Sequence, residues 1–224
     1  PAGLVRYRGK HFGQSYRDTL FACHFNTRRV VHVRLKESGA TFTTEEQDFL
    51  VSPSSDFHPA DILEDADGSL LLLDTGGWLS WGCPHSKLAK PEVKGAIYRI
   101  RRRGGALIDD PLGGEINWGK MTSSGLAGLL GDERPRVRDR AGDVLIGRGG
   151  NADTALVSAF KGSTSPQVRR RQLWVLSRIK SDVALGALRD ALSDRDAGVR
   201  QVAARSLGIL EDKASGSLLT GLLK

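Results

Sequence analysis

The segment that decides the fold of the second half of the chain is VRDRAGDVLIGRG, residues 137–149. It recurs as VRRRQLWVLSRIK at 168–180 and as VRQVAARSLGIL at 199–210, so a Val-Arg pair begins each copy at an interval of 31 residues. The same interval relates four further positions, Leu129, Phe160, Ala191 and Leu222. A period kept by several kinds of residue is typical of a solenoid built from repeated units.

Each repeat is predicted to contain two helices. The first is short, as in DVALGALRDALSD (182–194), where we expect Asp182 to cap the N-terminus. The second follows a turn, as in AGVRQVAARSLGILE (197–211), whose apolar residues keep the i, i+3, i+4 spacing of a face that packs on a neighbour. The pattern predicts an α-solenoid over residues 122–224, with three repeats and the start of a fourth.

The first half has a strand-like pattern. Apolar runs bounded by Gly, Asp and Pro predict strands and an all-β sandwich, barrel or propeller. The runs cover residues 19–26, 29–36, 40–51, 69–75 and 95–102. The plan of LFACHFNTRRVVHVRL is repeated by LLLLDTGGW and KGAIYRIRR, which favours propeller blades. Two blades cannot close a propeller, so we expect the chain to be the C-terminal part of a longer protein.

The charge of the two halves also differs. The chain has a net charge of +7, and residues 1–120 carry 16 basic against 15 acidic side chains, whereas residues 121–224 carry 17 against 11. The arginines at 134, 136, 138, 140 and 169–171 form a basic stripe, which is either a solvated helix face or a surface for a protein or an anionic polymer. We predict that Arg138, Arg169 and Arg200 bind a protein partner. We expect no DNA, because no aromatic platform beyond Trp174 accompanies the arginines. No apolar run reaches 18 residues, so no membrane span is predicted.

The stretch LEDADGSLLLLDTGGW, residues 63–78, allows a calcium loop, a catalytic acid at a strand end, or a hairpin. Counted from Asp65, the glycine falls at position 4, whereas an EF-hand loop needs it at position 6. We therefore predict a hairpin turn at Asp67-Gly68. The leucine run that follows predicts a strand that is apolar and buried on both faces.

Three side chains at predicted strand ends are candidate catalytic residues: His58, Asp61 and Asp74. A histidine beside a carboxylate can act as a general base near neutral pH. The alternative is structural, with both aspartates capping turns and His58 fixing the loop before Pro59.

Other polar and sulfur-containing residues have simpler interpretations. Asn26-Thr27 predicts a two-residue hairpin connection. Cys23 and Cys83 are either buried small apolar residues or a disulfide. The insertion at residues 81–95 predicts a rigid loop over a channel mouth or a partner surface. No metal site is predicted, because Cys83 and His85 are too few ligands for zinc.

The helical half resembles HEAT repeats of the short bacterial type. The resemblance is carried by the D-x-x-x-x-V-R block, which begins at Asp132 and again at Asp194. In this family the valine packs between helices and the arginine lies at the surface. HEAT repeats imply a protein partner.

The β half resembles a particular propeller family through GLVRYRGKHFGQSYRDTLFACHFNTRRVVHVRL, DFHPADILEDADGSLLLLDTGGW and GCPHSKLAKPEVKGAIYRIRRRG. These segments are similar to the last blades of the membrane-bound dehydrogenase propellers of planctomycete and verrucomicrobial bacteria, relatives of glucose/sorbosone dehydrogenases. In that family the propeller precedes HEAT repeats, as it does in this sequence. The resemblance implies a partial propeller over residues 1–105, a linker over 106–121 and HEAT repeats over 122–224.

The same resemblance implies an extracytoplasmic sugar or alcohol dehydrogenase-like oxidoreductase, linked to a quinone or cytochrome and acting on a carbohydrate substrate. Arg8, in Tyr7-Arg8-Gly9, corresponds to a position that contacts pyrroloquinoline quinone. The family's R-x-R-D segment aligns with 58–61, where only Asp61 matches. A c-type haem is expected only on another domain, and the isolated fragment is expected to be inactive. The alternative function is a non-catalytic scaffold that binds protein or polysaccharide.

Overall fold

The computed structural model of the chain describes residues 1–39, 41–77, 90 and 92–221. The chain forms two compact units, Pro1–Asp109 and Asp110–Lys224. The described residues of the first unit form strands and those of the second form helices. Each unit has its own apolar core.

The first unit contains two antiparallel sheets whose strands are adjacent in chain order. The four-stranded sheet consists of β1 (Leu4–Arg6), β2 (Leu20–His24), β3 (Arg29–Ser38) and β4 (Thr41–Val51). The three-stranded sheet consists of β5 (Pro59–Glu64), β6 (Leu70–Asp74) and β7 (Ala96–Ile100). Both sheets are open, and within the described residues no strand closes them into a barrel or a complete propeller. The five predicted strand ranges are confirmed with small shifts of their ends, and β1 and β5 were not among them.

The two sheets share a core because side chains alternate between the two faces of each strand. Leu70 and Leu72 of β6 are fully buried with Ile62 of β5, and they pack with Phe21 of β2. Leu73 points the other way and is 42% exposed. The prediction that the leucine run is buried on both faces is therefore wrong. The reason is that β6 is the middle strand of a sheet whose core lies on one face only.

The hairpin predicted at Asp67-Gly68 is confirmed. Glu64 pairs with Leu70, and the intervening turn has Gly68 at a φ of 84°, a conformation that suits glycine. The connection between β2 and β3 is longer than predicted. His24 pairs with Arg29, so four residues (25–28) form it rather than the pair Asn26-Thr27.

The second unit consists of helix pairs followed by one further helix. The first helices of the pairs are α1 (Ser123–Leu129), α3 (Asp153–Gly162) and α5 (Asp182–Asp190). The second helices are α2 (Pro135–Arg148), α4 (Pro166–Ile179) and α6 (Ala197–Ile209), and α7 (Gly216–Gly221) follows. Contacts join α1, α3 and α5 into one layer and α2, α4 and α6 into another. This arrangement confirms the helical solenoid.

Side-chain caps at the N-termini of the helices fix where these helices begin. Ser165, Ser181 and Asp196 cap α4, α5 and α6 by accepting a hydrogen bond from a backbone N–H three residues later. The predicted cap at Asp182 is displaced by one residue, because Ser181 makes that contact. Among the described helices, none has the length and apolar character needed to cross a membrane.

The β5–β6 turn gives a prediction about pH. Burial favours the neutral form of Asp67, but hydrogen bonds from Ser69 and Arg101 and the charge of Arg99 lower its pKa to about 2. Because the folded pKa lies below the ordinary value, the carboxylate stabilises the fold above about pH 4, and this stabilisation is lost as the pH falls towards about 2. We expect Asp67→Asn to reduce the free energy of unfolding by about 1 kcal/mol at neutral pH, and by much less near pH 2.

Urea unfolding followed by circular dichroism at both pH values measures this difference. Asp109→Asn, which removes the same charge from an exposed position of the same unit, is the control. An equal loss of stability in both variants would show that the turn contacts of Asp67 contribute nothing specific.

Candidate functional site

The predicted pair His58 and Asp74 lies at one end of the three-stranded sheet, where Asp74 pairs with Pro59. The buried Asp74 carboxylate accepts hydrogen bonds from the backbone N–H groups of His58 (2.8 Å) and Gly76 (2.9 Å). The His58 ring donates from Nδ1 to the carbonyl of Gly76 at 2.6 Å. The ring and the carboxylate are thus both bonded to the backbone of Gly76.

This geometry differs from that of a catalytic His–carboxylate pair. In such a pair the carboxylate accepts from the imidazole ring and orients it, whereas Asp74 accepts from backbone N–H groups. Asp61 lies on β5 with an exposed side chain, and its Oδ1 accepts from the N–H of Ile62 at 2.8 Å. These contacts are the ones expected if the aspartates cap turns and His58 fixes the loop before Pro59. A catalytic role for the three residues stays a prediction.

Arg8 follows β1 and faces the β5–β6 hairpin. Its backbone N–H donates to Glu64 Oε2 at 2.8 Å, and its Nε lies 3.8 Å from the same oxygen. The neighbouring Tyr7 is fully buried and donates its hydroxyl to the carbonyl of Gly68 at 2.8 Å. Burial raises the pKa of Tyr7 to about 12, so the hydroxyl remains a donor at physiological pH. The Tyr7-Arg8-Gly9 segment therefore joins one sheet to the turn of the other.

The described residues do not fit pyrroloquinoline quinone. Three carboxylates on one quinone require several converging arginine groups. Arg8 is paired with Glu64, and positions 58 and 60 hold His and Ala. The described residues thus lack the set of cations that would recognise this cofactor.

The predictions for the cysteines and the insertion are tested only in part. Cys23 is buried, and burial raises the pKa of its thiol to about 11, as expected for a small apolar residue of the core. Cys83, His85 and most of the insertion at 81–95 lie outside the described residues.

The contacts of Asp74 predict a difference between the two aspartates. Asp74→Ala leaves two backbone N–H groups without their acceptor, so we expect the free energy of unfolding to fall by about 2 kcal/mol. Asp61→Ala removes an exposed side chain and should change it by about 0.5 kcal/mol or less. Urea unfolding of both variants measures the difference, and equal losses would contradict the structural role of Asp74.

In the second unit, the arginine of each Val-Arg pair reaches back to the turn between the two helices of its own repeat. Arg138 donates from Nη1 to the carbonyls of residues 132 and 133, at 2.8 and 3.0 Å. Arg169 donates to those of residues 163 and 164, at 3.0 and 3.3 Å. Arg200 donates to those of residues 194 and 195, at 2.9 and 3.3 Å. The same contact recurs in all three repeats.

Arg169 also joins its repeat to the next one. Its Nε and Nη2 donate to the two carboxylate oxygens of Asp194, at 3.0 and 2.9 Å. Burial favours the neutral carboxyl of Asp194, but the hydrogen bonds from Arg169 and from the N–H of Asp196 hold its pKa below the ordinary value. This bidentate pair between repeats was missed by the sequence analysis, because its partners are 25 residues apart and no local pattern relates them.

The prediction that these arginines lie at the surface is wrong for two of them. Arg138 and Arg169 are only 5% and 4% exposed, because their guanidinium groups supply donors to turn carbonyls. Partner binding by Arg138, Arg169 and Arg200 stays a prediction. The exposed arginines of the same helices, such as Arg178 and Arg205, have the accessibility that such binding needs.

The buried pair predicts a large effect on stability. Arg169→Ala removes two donors to the Asp194 carboxylate and the donor that two turn carbonyls share, so we expect a loss of about 3 kcal/mol in the free energy of unfolding. Arg170→Ala, at the next residue, removes a partly exposed side chain and should cost less than about 1 kcal/mol.

Thermal and urea unfolding of the two variants give the comparison. The double variant Arg169→Met with Asp194→Leu tests the cause, since removing both charges should recover part of the loss. If Arg170→Ala is as destabilising as Arg169→Ala, the ion pair is not what joins the repeats.

Comparison with known families agrees with the two units. Residues 154–224 match the family model described as HEAT repeats. Residues 1–104 match the model of a domain of unknown function, DUF7133. The chain matches no curated protein and no solved structure. The second unit therefore contains HEAT repeats, and the dehydrogenase relationship stays a prediction.

Proposed function

We propose that this chain is part of an interaction scaffold whose HEAT repeats bind a protein partner. The observation that carries the proposal is the charge of α4 and α6, which contain six arginines and no acidic residue. Arg169 and Arg200 donate to turn carbonyls, and the other four lie at partly or fully exposed positions. Solenoid repeats offer extended surfaces for binding, so this basic surface supports a scaffold role.

For the first unit we propose that the two sheets are blades of a propeller. Its support is the order of the strands, since each sheet is an antiparallel meander and the two sheets share one core. Four-stranded sheets of this kind are the units of propellers. In this proposal the unit is a rigid support, and His58, Asp61 and Asp74 hold its turns. An extracytoplasmic location is part of the proposal and is supported by the family resemblance.

The second candidate is the C-terminal part of a sugar or alcohol dehydrogenase-like oxidoreductase. The order of the β unit and the HEAT repeats, together with the segment Tyr7-Arg8-Gly9, favours it because both agree with the family that the sequence resembles. The pairing of Arg8 with Glu64 and the backbone contacts of Asp74 favour the scaffold instead.

Site-specific photo-crosslinking in the producing cell tests the scaffold. A benzophenone amino acid is placed at exposed positions of both helix layers: Thr154 and Ser158 on α3, Trp174 on α4, and Arg205 on α6. We expect the same protein to be crosslinked from more than one repeat, because a solenoid binds along neighbouring repeats. Mass spectrometry identifies the partner and the crosslinked positions.

Dye-linked oxidation of aldoses by the full-length protein, with and without quinone and calcium, is measured in parallel. We expect no turnover that depends on His58 or Asp61. Turnover lost in His58→Ala, combined with no protein crosslink from any helix, would support the oxidoreductase and overturn the scaffold.

A further inference from the structure

We propose that the outer face of α4 and α6 binds an acidic peptide segment of a partner protein, and that the peptide places one apolar side chain on Trp174. The inference rests on the proposed scaffold function and adds the chemistry of the partner. We define the Trp174 face by six residues: Arg170, Arg171, Trp174, Arg178, Arg205 and Ile209.

The position of these residues follows from the geometry of α4. Each residue turns the helix by about 100°, so residues 170, 171, 174 and 178 lie on one side. Residues on the other side are buried in the core, among them Leu173 and Leu176. The face is therefore formed by the part of α4 that its neighbouring helices do not cover.

Trp174 differs from the other aromatic residues of this unit. Phe160 is 6% exposed and belongs to the core. Trp118 donates from Nε1 to the carbonyl of Gly113 at 2.7 Å and lies under the guanidinium of Arg140, 4.4 Å from the ring centroid. Trp174 is 41% exposed. Large exposed aromatic residues beside arginines are characteristic of the centres of protein interfaces.

The surface of α4 continues onto α6. A Cβ at Gly198 would lie 2.9 Å from Arg170 Nη1, so the guanidinium of Arg170 lies against the start of α6. Arg205 and Ile209 follow Trp174 and Arg178 by one 31-residue repeat and occupy the equivalent positions on α6. Ile209 is 65% exposed, and it adds a second apolar group to the edge of the face.

The charge of the face defines its occupant. Within the described part of the chain, no carboxylate forms a salt bridge with Arg170, Arg178 or Arg205. At the positions of α2 that correspond to Arg170 and Trp174, the preceding repeat has the exposed acids Asp139 and Asp143, although α2 also carries the exposed Arg136 and Arg140. An acidic segment is therefore attracted more strongly by the acid-free surface of α4 and α6 than by the mixed surface of α2. Single-stranded nucleic acids stack successive bases on several aromatic platforms, whereas this face has one, which suits a single apolar side chain of a peptide.

Fluorescence anisotropy with the full chain tests the proposal. The probe is a labelled peptide of glutamates with one central leucine, and we expect saturable binding that weakens as salt is added. Trp174→Ala should weaken binding about tenfold, as expected for a central aromatic residue. Arg178→Glu combined with Arg205→Glu should weaken it to a similar extent. Trp174→Phe, which keeps an aromatic ring, should retain most of the affinity.

The control is Lys161→Glu, which reverses one charge at an exposed position of α3 in the other layer and is compared with Arg178→Glu alone. We expect a change of less than about twofold. Circular dichroism confirms that each variant is folded. Replacing the leucine of the peptide by serine should reproduce the loss seen in Trp174→Ala.

Three results would overturn the proposal. The first is an equal effect of Lys161→Glu, which indicates attraction by net charge alone. The second is unchanged binding of the serine peptide. The third is tighter binding of oligothymidine that is lost in Trp174→Ala, which indicates a nucleic-acid surface. Crosslinks of a protein partner from Thr154 or Ser158 alone would leave the scaffold function standing and place its surface on the other layer.

Discussion

The helical unit depends on one recurring contact, in which an arginine side chain donates to the carbonyls of the turn between two helices. The carbonyls at the end of a helix have no partner within the helix, so they need another donor. Arg138, Arg169 and Arg200 satisfy these oxygens in successive repeats, each from the second helix of its own pair. The valine beside the arginine is fully buried in two repeats, as Val137 and Val199, and half-buried in the third, as Val168. The Val-Arg pair recurs because every turn presents the same need.

The hydrogen bonds to the turn carbonyls also distinguish structural arginines from accessible arginines within one helix. Consecutive residues of a helix point about 100° apart, so Arg169 can lie inside while Arg170 lies at the edge and Trp174 outside. A basic helix of this kind therefore contains arginines with two different roles. Net charge cannot distinguish them, and only the identity of the hydrogen-bond partners does. The inward arginines hold the turns of their own repeats, Arg169 also joins two repeats, and exposed ones such as Arg178 and Arg205 are accessible to a partner.

The β unit shows the same use of polar groups for architecture. Tyr7 and Glu64 join the end of β1 to the β5–β6 hairpin, and Asp74 closes the turn that follows β6. The acids of the 63–78 stretch are thus accounted for by backbone donors, by Arg99 of β7 and by Arg101 just after that strand. A carboxylate that accepts two backbone N–H groups is held in one orientation. In a sequence, such structural carboxylates resemble catalytic ones, because both lie at strand ends beside glycines.

The sequence predicted the structural features that depend on the spacing of neighbouring residues. It did not predict the features that depend on a residue far along the chain. The 31-residue period located the helix pairs, and Asp67-Gly68 located a turn, because each signal is contained in a short segment. The burial of Arg169 could not be predicted in this way. It depends on Asp194, 25 residues away, and on carbonyls whose lack of donors is visible only after folding. The burial of one face of β6 likewise depends on which side the second sheet covers.

The exposure of Trp174 follows from the arginines that lie near it in the sequence. Its neighbours in sequence, Leu173 and Val175, are buried, and hydrophobicity alone would place a tryptophan between them in the core. The helix phase prevents this, because the residues three and four positions before and four after it are arginines at partly or fully exposed positions. Turning α4 to bury Trp174 would bury those arginines without their partners and expose Leu176, which is unfavourable on both counts. The exposed tryptophan is therefore enforced by the charges that surround it, and those same charges define what can bind to it.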